Sequence, residues 1–360
     1  MKATQWLHEQ GQSLWLDNIT RDLLNNGTLK RYIDEFSVTG LTSNPTIFDH
    51  AIRKSMAYDA SIVRKKKGCN SPEELFYELA LEDLSRAAEL FRPTFEKTNG
   101  VDGWVSLEVS PLLAYDTGST IAAVEKIAGK AGLPNLFIKI PGTKEGVPAI
   151  EETTFRGIPI NVTLLFSREQ YLAAADAYLR GIERRIAAGL NPAVPSVASV
   201  FVSRWDVAVA KKVPQRLQDQ LGIAIARRTY VAASAFLSSA RSRRLYNFGA
   251  RPQRLLWGST GTKNPAASPI LYAEALAAPF TVNTMPEETL KAVAARSELG
   301  ALMPADGGNS EEILAEFVKE GIDIDALATQ LQDEGAGSFV SSWNDLMEVV
   351  SSKSVSLKAS

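Results

Sequence analysis

The chain has 360 residues, of which 45% are apolar and 22% charged, and its 39 basic and 41 acidic residues leave a net charge of −2. That balance gives no electrostatic case for nucleic acid or an anionic membrane, and the length fits two ordinary domains or one large α/β barrel with additions. Cys69 is the only cysteine, and neither of the two histidines, His8 and His50, has a partner at metal-ligand spacing. An intrachain disulfide is therefore excluded, and neither a structural zinc site nor histidine-based catalysis is expected.

Residues 1–17 lack the basic-then-apolar pattern of a secretory signal, and no apolar run approaches membrane-spanning length. A cytoplasmic setting is expected, and the sequons at Asn18, Asn26 and Asn161 are read as chance. Strand-length apolar runs fall at 13–17, 40–44, 104–109, 136–140, 158–163, 196–201, 254–258 and 280–283. Helix-patterned stretches lie between them, including 71–91, 119–131, 167–188, 215–241 and 268–277. Ser71-Pro-Glu-Glu has Ser at the N-cap and Pro in the first turn, Ser167-Arg-Glu-Gln has the capping-box form, and Gly189 suits a helix end.

Alternation of strand and helix predicts a parallel sheet, and eight such units in about 250 residues predict a single closed (β/α)8 TIM barrel. The barrel is expected to occupy residues 1–285, with a helical insert at about 55–99. Residues 286–360 are expected to form a C-terminal helical extension, with helices at 310–319, 323–333 and 338–351. A doubly wound sheet would need a Gly-rich turn after an early strand, and none is present. Gly258-Ser-Thr-Gly-Thr-Lys263 has the wrong glycine spacing for a phosphate loop, and Asn264 follows its lysine.

The expected strands end in polar residues, where barrels carry their chemistry. Strand one ends in Asp17, strand two in Thr42-Ser43-Asn44, strand three in Ser106-Leu107-Glu108, strand five in Asn161-Val162-Thr163, and strand six carries Ser199 just before Phe201. Alternation turns Leu16, Leu41, Leu107 and Ile160 outward, and Asp17, Thr42, Asn44, Ser106, Glu108, Asn161 and Thr163 inward. The bland readings are strand-end polarity and helix capping. Capping is favoured for Ser43 and Thr46, and Asn44 before Pro45 has the form of a turn start.

Strand four, Leu136-Phe-Ile-Lys139-Ile140, is apolar except for its lysine and stops at Pro141-Gly142. Lys139 shares the inward face with Phe137. By itself the strand leaves open whether the ammonium is buried or has its head in water. A buried lysine with a lowered pKa is what Schiff-base chemistry needs, because only the free amine attacks a carbonyl. Two carboxylates in phase with it would move the protons: one takes the proton of the hydroxyl beta to the imine carbon, and the other serves carbinolamine formation, directly or through a water held by Thr163. Asn44, Asn161 and Ser199 would hold polyol hydroxyls. Arg204 after strand six, and Ser259 to Lys263 after strand seven, are the candidate anion clamp.

These pieces together resemble the transaldolase family: Leu16-Asp17, Thr42-Ser-Asn-Pro-Thr46, Ser106-Leu-Glu-Val109, Ile138-Lys-Ile-Pro141, Asn161-Val-Thr-Leu-Leu-Phe-Ser167 and Ser199-Val-Phe-Val-Ser-Arg204. The resemblance runs from about residue 14 to 284, and the length is similar to the longer bacterial branch. It implies a class I enzyme without cofactor or metal. Such an enzyme moves a dihydroxyacetone unit from sedoheptulose 7-phosphate or fructose 6-phosphate to an aldose phosphate, in the pentose phosphate pathway. It further implies Lys139 as the Schiff-base lysine, Asp17 as the cleavage base, and Glu108 with Thr163 on the catalytic water. Asn44, Asn161, Ser199 and Phe201 are then substrate-binding, with Arg204 on phosphate. Where many relatives carry an Arg in the strand-seven loop, this chain has Lys263, a point charge in place of a fork. The alternatives are a related aldolase, releasing free dihydroxyacetone or acting on deoxyribose phosphate, and a barrel that only binds sugar phosphates. The expected partners are small sugar phosphates, with no nucleic acid and no membrane. A homodimer through the insert or the C-terminal helices stays open, because no decisive apolar stripe marks it.

Overall fold

In the structure, a computed structural model describing residues 1–357, the strands are β1 Ser13–Leu16, β2 Val38–Leu41, β3 Trp104–Glu108, β4 Leu136–Pro141, β5 Ile160–Leu165, β6 Ser196–Phe201, β7 Arg254–Gly258 and β8 Val282–Met285. Each pairs in parallel with the next, and β8 closes onto β1, giving a barrel in strict chain order. Glu108 lies opposite Lys139, and Lys139 opposite Asn161, so three expected site residues share one register level across β3, β4 and β5.

Strand alternation divides the apolar residues into two layers. Leu16, Leu41, Leu107, Ile138, Ile140 and Ile160 point outward and pack beneath the helices in the main core. Inside, Trp15, Trp104, Phe137, Val197, Leu256 and Val282 form a separate plug. The Trp104 and Phe137 rings stack with centroids 4.0 Å apart. Each such buried side chain contributes about 1.5–3 kcal/mol. The plug seals the amino-terminal half of the barrel, leaving the polar level above it open only at the carboxyl ends of the strands.

Helix caps follow local sequence. The Ser71 side chain accepts from Glu74 N at the head of Pro72–Lys97, and Ser167 forms a full capping box with Gln170. Gly189, in the left-handed region, follows the helix Arg168–Ala187. Pro72–Lys97 leads into β3 after the shorter helices Pro45–Lys54 and Asp59–Lys65. Beyond β8 come Glu287–Ala294, Ser310–Lys319 and a long C-terminal helix, Ile324–Ser356. The last of these packs on Pro45–Lys54, on Pro72–Lys97 and over the end of β5. Among the described residues no helix is long and apolar enough to cross a membrane.

Several boundaries differ from the sequence expectation. β2 ends at Leu41 rather than residue 44, because Asn44 turns away to cap Pro45–Lys54, its side chain accepting from Ile47 N. The capping expected of Ser43 and Thr46 is absent: Ser43 Oγ donates to Ser106 O, and Thr46 Oγ1 to Ser342 Oγ. β5 begins and ends two residues late, and β8 runs to Met285. The stretch 215–241 is not one helix; it holds a short turn of 3-10 helix, then Leu221–Leu237, and a break at Ser239, which caps Ala240–Asn247. The helix expected over 268–277 spans only Leu271–Ala275, and those expected at 323–333 and 338–351 are one continuous helix through Gly335 and Gly337.

Candidate active site

At the carboxyl ends of the strands lies a cleft of about 610 Å³. Eight of the ten residues singled out from sequence line it: Asp17, Asn44, Lys139, Thr163, Ser199, Phe201, Arg204 and Lys263. Glu108 and Asn161 are bonded to lining residues, Glu108 to Lys139 and Asn161 to Ser199.

Lys139 is 5% exposed and Glu108 4%, which closes the reading of a lysine with its head in water. Lys139 Nζ donates to Glu108 Oε2 at 3.0 Å and to the carbonyl oxygen of Ser43 at 3.1 Å. Burial pushes the Glu108 carboxyl above its ordinary range, and the Lys139 charge partly opposes that rise. The other carboxylate oxygen, Glu108 Oε1, and the buried hydroxyl of Thr163 each lack a partner among the described residues.

Asp17 sits just past β1 in the cleft wall. Burial raises its pKa, while a hydrogen bond from Thr42 Oγ1 at 2.7 Å and the charges of Lys139 and Lys263 pull it down. Thr284 Oγ1 lies 2.7 Å from the Thr42 hydroxyl and donates to it when Thr42 serves Asp17. Asn161 is tied to its neighbours: its amide donates to Ser106 Oγ at 3.3 Å and its carbonyl accepts from Ser199 Oγ at 2.8 Å. Asn44 keeps its amide nitrogen for the cleft, since its oxygen caps the helix.

The cationic side of the cleft is Arg204 and Lys263. Neither makes an ion pair or hydrogen bond among the described residues. The Arg204 guanidinium rests against the rings of Phe201 and Phe339, 5.4 and 5.7 Å from their centroids, and burial lowers its pKa. Lys263 is exposed at the rim beside Gly261 and the left-handed Ser259. Two unpaired cations facing a polar cleft suit an anionic ligand.

Thr284 was not found from sequence, although extending the parity of β8 beyond 283 turns it inward with Val282. Phe339 carried no sequence signal, since it lies far past the last strand. Cys69 is half-buried, and burial pushes its thiol up, the opposite of an activated nucleophile. Among the described residues no group of three His, Cys, Asp or Glu side chains is arranged to hold a metal ion.

Fold and cleft define a (β/α)8 barrel with a buried lysine–carboxylate pair beneath a polar, cation-rimmed opening. The sequence model of the transaldolase/fructose-6-phosphate aldolase family matches residues 14–350, and the chain belongs to that family. It is 40% identical over 355 residues to the transaldolase of Thiobacillus denitrificans, covering 96% of this chain and 99% of that protein. It is 41% identical over 355 residues to that of Thermobifida fusca, covering 96% of each, and 40% identical over 352 residues to that of Mycolicibacterium paratuberculosis, covering 95% of this chain and 94% of that protein.

Proposed function

We propose that this chain is a transaldolase, a transferase that carries a dihydroxyacetone unit on Lys139 from a ketose phosphate to an aldose phosphate. The observation that carries the reading is the 3.0 Å pairing of a buried lysine with a buried carboxylate, in a cleft that also holds Asp17 and two unpaired cations.

The raised affinity of Glu108 for a proton makes it an acceptor for the proton that Lys139 must lose before attack. The free amine adds to the ketone carbon and forms a carbinolamine, whose hydroxyl leaves as water when Glu108 returns a proton. A water accepting from Thr163 and donating to Glu108 Oε1 would satisfy both otherwise unpartnered atoms and relay that proton. The resulting iminium draws electrons. Ionised Asp17 takes the proton from the hydroxyl beta to the iminium carbon, the C–C bond breaks, and its electron pair passes to the nitrogen as an enamine. The aldose phosphate departs, a second aldehyde enters, and the steps reverse. The iminium supplies the electrophilic assistance that a metal gives in other aldolases, so no cofactor enters the scheme.

Asn44 and Ser199 would hold the hydroxyls of the dihydroxyacetone unit, with Asn161 orienting Ser199 from below. Phe201 would form an apolar wall, and Arg204 with Lys263 the phosphate clamp. The substrates of this reading are sedoheptulose 7-phosphate or fructose 6-phosphate as donors and glyceraldehyde 3-phosphate or erythrose 4-phosphate as acceptors, in the cytoplasmic pentose phosphate pathway. The test supplies fructose 6-phosphate with and without erythrose 4-phosphate. The reading expects sedoheptulose 7-phosphate only when the acceptor is present. Steady release of free dihydroxyacetone without an acceptor would make the protein an aldolase instead.

A further inference from the structure

Gly335 and Gly337 interrupt the C-terminal helix, yet it runs unbroken from Ile324 to Ser356. Glycine weakens a helix interior, so a close approach at one of these positions is informative. Among the described residues nothing lies within 4 Å of a Cβ placed on Gly337. A Cβ placed on Gly335, by contrast, would stand 3.0 Å from Leu164 Cδ2 and 3.1 Å from Arg204 Nη1. One turn further on, Phe339 lays its ring against the same guanidinium. One turn earlier, Gln332 Nε2 donates to the carbonyl oxygens of Gly142 and Leu164, at 3.0 and 2.9 Å. Those carbonyls sit just beyond the stretches of β4 and β5 that carry Lys139 and Thr163. Residues 332, 335 and 339 occupy one face of the helix, so the helix is bolted to the mouth of the barrel at the point where Arg204 lies.

Among the described residues Arg204 has no hydrogen-bonding partner to fix its planar fork. Its orientation is set by packing alone: Phe201 from its own strand end, Phe339 from the C-terminal helix, and the space left by Gly335. We propose that Gly335 and Phe339 are positioning residues that seat Arg204 for a phosphate group, so that the C-terminal helix sets the preference for phosphorylated over unphosphorylated sugars. The inference rests on Arg204 being the anion-binding residue of the proposed function. It does not require that Lys139 form an imine.

The test uses the full chain with Gly335→Ala, Phe339→Leu and Phe339→Tyr, each also made in an Arg204→Ala background. Two quantities are read: binding of inorganic phosphate by calorimetry, and KM for fructose 6-phosphate against KM for fructose. Gly335→Ala and Phe339→Leu are expected to weaken phosphate binding, and to raise the fructose 6-phosphate KM about fivefold more than the fructose KM. Phe339→Tyr, which keeps the ring, should restore most of the loss. In the Arg204→Ala background neither change should have a further effect. Alanine is the better helix former, but its Cβ crowds Leu164 and Arg204, so the melting temperature of Gly335→Ala is recorded beside the binding data; should it fail to fold, the Leu/Tyr pair at 339 decides. Equal effects on both sugars, or losses that persist without Arg204, would overturn the proposal. Phosphate binding that tracks Arg204 in a protein without transfer activity would strike the transaldolase reading and leave this one standing.

Discussion

Replacing Lys139 by methionine isolates the energetics of the buried pair. At 3.0 Å, and with the effective dielectric that describes protein interiors best, the mutual attraction of two unit charges is about 5–6 kcal/mol, most of it offset by desolvation of both groups. Removing one partner of such a pair leaves the other charge uncompensated, at about 3–5 kcal/mol. Methionine keeps the apolar stem, so the orphaned Glu108 carboxylate dominates. Burial already raises the Glu108 pKa, and Lys139 is the main group lowering it, so the variant raises it further. A raised carboxyl pKa means that the native state binds the proton more tightly than the unfolded chain. Stability is then gained as the pH falls through the raised value and lost as it climbs. Urea unfolding followed by tryptophan fluorescence should show Lys139→Met less stable than the parent by about 3–5 kcal/mol at pH 8, with a smaller deficit at pH 5. Glu108→Gln combined with Lys139→Met removes both charges and should recover most of the loss. A deficit equal at both pH values, or a double variant no better than Lys139→Met, would refute the reasoning.

The Thr42 hydrogen bond lowers the Asp17 pKa against burial, so Thr42→Val should move the acid limb of kcat/KM upward. A limb that stays in place or moves down would separate Asp17 from the cleavage step. Asp206 accepts from Tyr272 Oη at 2.7 Å and from Gly222 N at 3.2 Å, yet burial pushes it up to about 6. Its ionised form therefore opposes folding by up to about 3 kcal/mol above that value, and the opposition fades as the pH falls from 6 towards 4. Asp206→Asn should abolish this part of the pH dependence of the melting temperature. An unchanged profile would contradict the assignment. Arg204→Lys should raise the KM for fructose 6-phosphate about tenfold while thermal stability is kept, since a point charge cannot reproduce the fork. A KM within twofold of the parent would remove Arg204 from the clamp.

Much of the site was legible because a strand has a period of two. Once Leu107 was read as facing the helices and Ile138 as opposite in phase to Lys139, Glu108 and Lys139 fell on the inward face; the register that sets them opposite each other came only from the structure. Capping was less legible. In the polar run Thr42-Ser43-Asn44 the cap was expected at Ser43, whereas Asn44, three residues past the end of β2, heads the helix. The break at Ser239 was hidden because the apolar period of 215–241 continues across it. The opposite error occurred at 334–337, where two glycines read as an interruption although packing across the barrel mouth holds the helix together. Phe339 and Gln332 reach the cleft only through that packing. Contacts between residues more than a hundred positions apart in the chain leave no local pattern to read.

The central claim is that a sugar ketone condenses with the amine of Lys139. Reduction with borohydride in the presence of fructose 6-phosphate, followed by proteolysis and mass spectrometry, tests it directly. The account predicts a reduced dihydroxyacetone adduct on the peptide carrying Lys139, and neither adduct nor turnover in Lys139→Arg. An adduct on a different lysine, or turnover that survives Lys139→Arg, would contradict it.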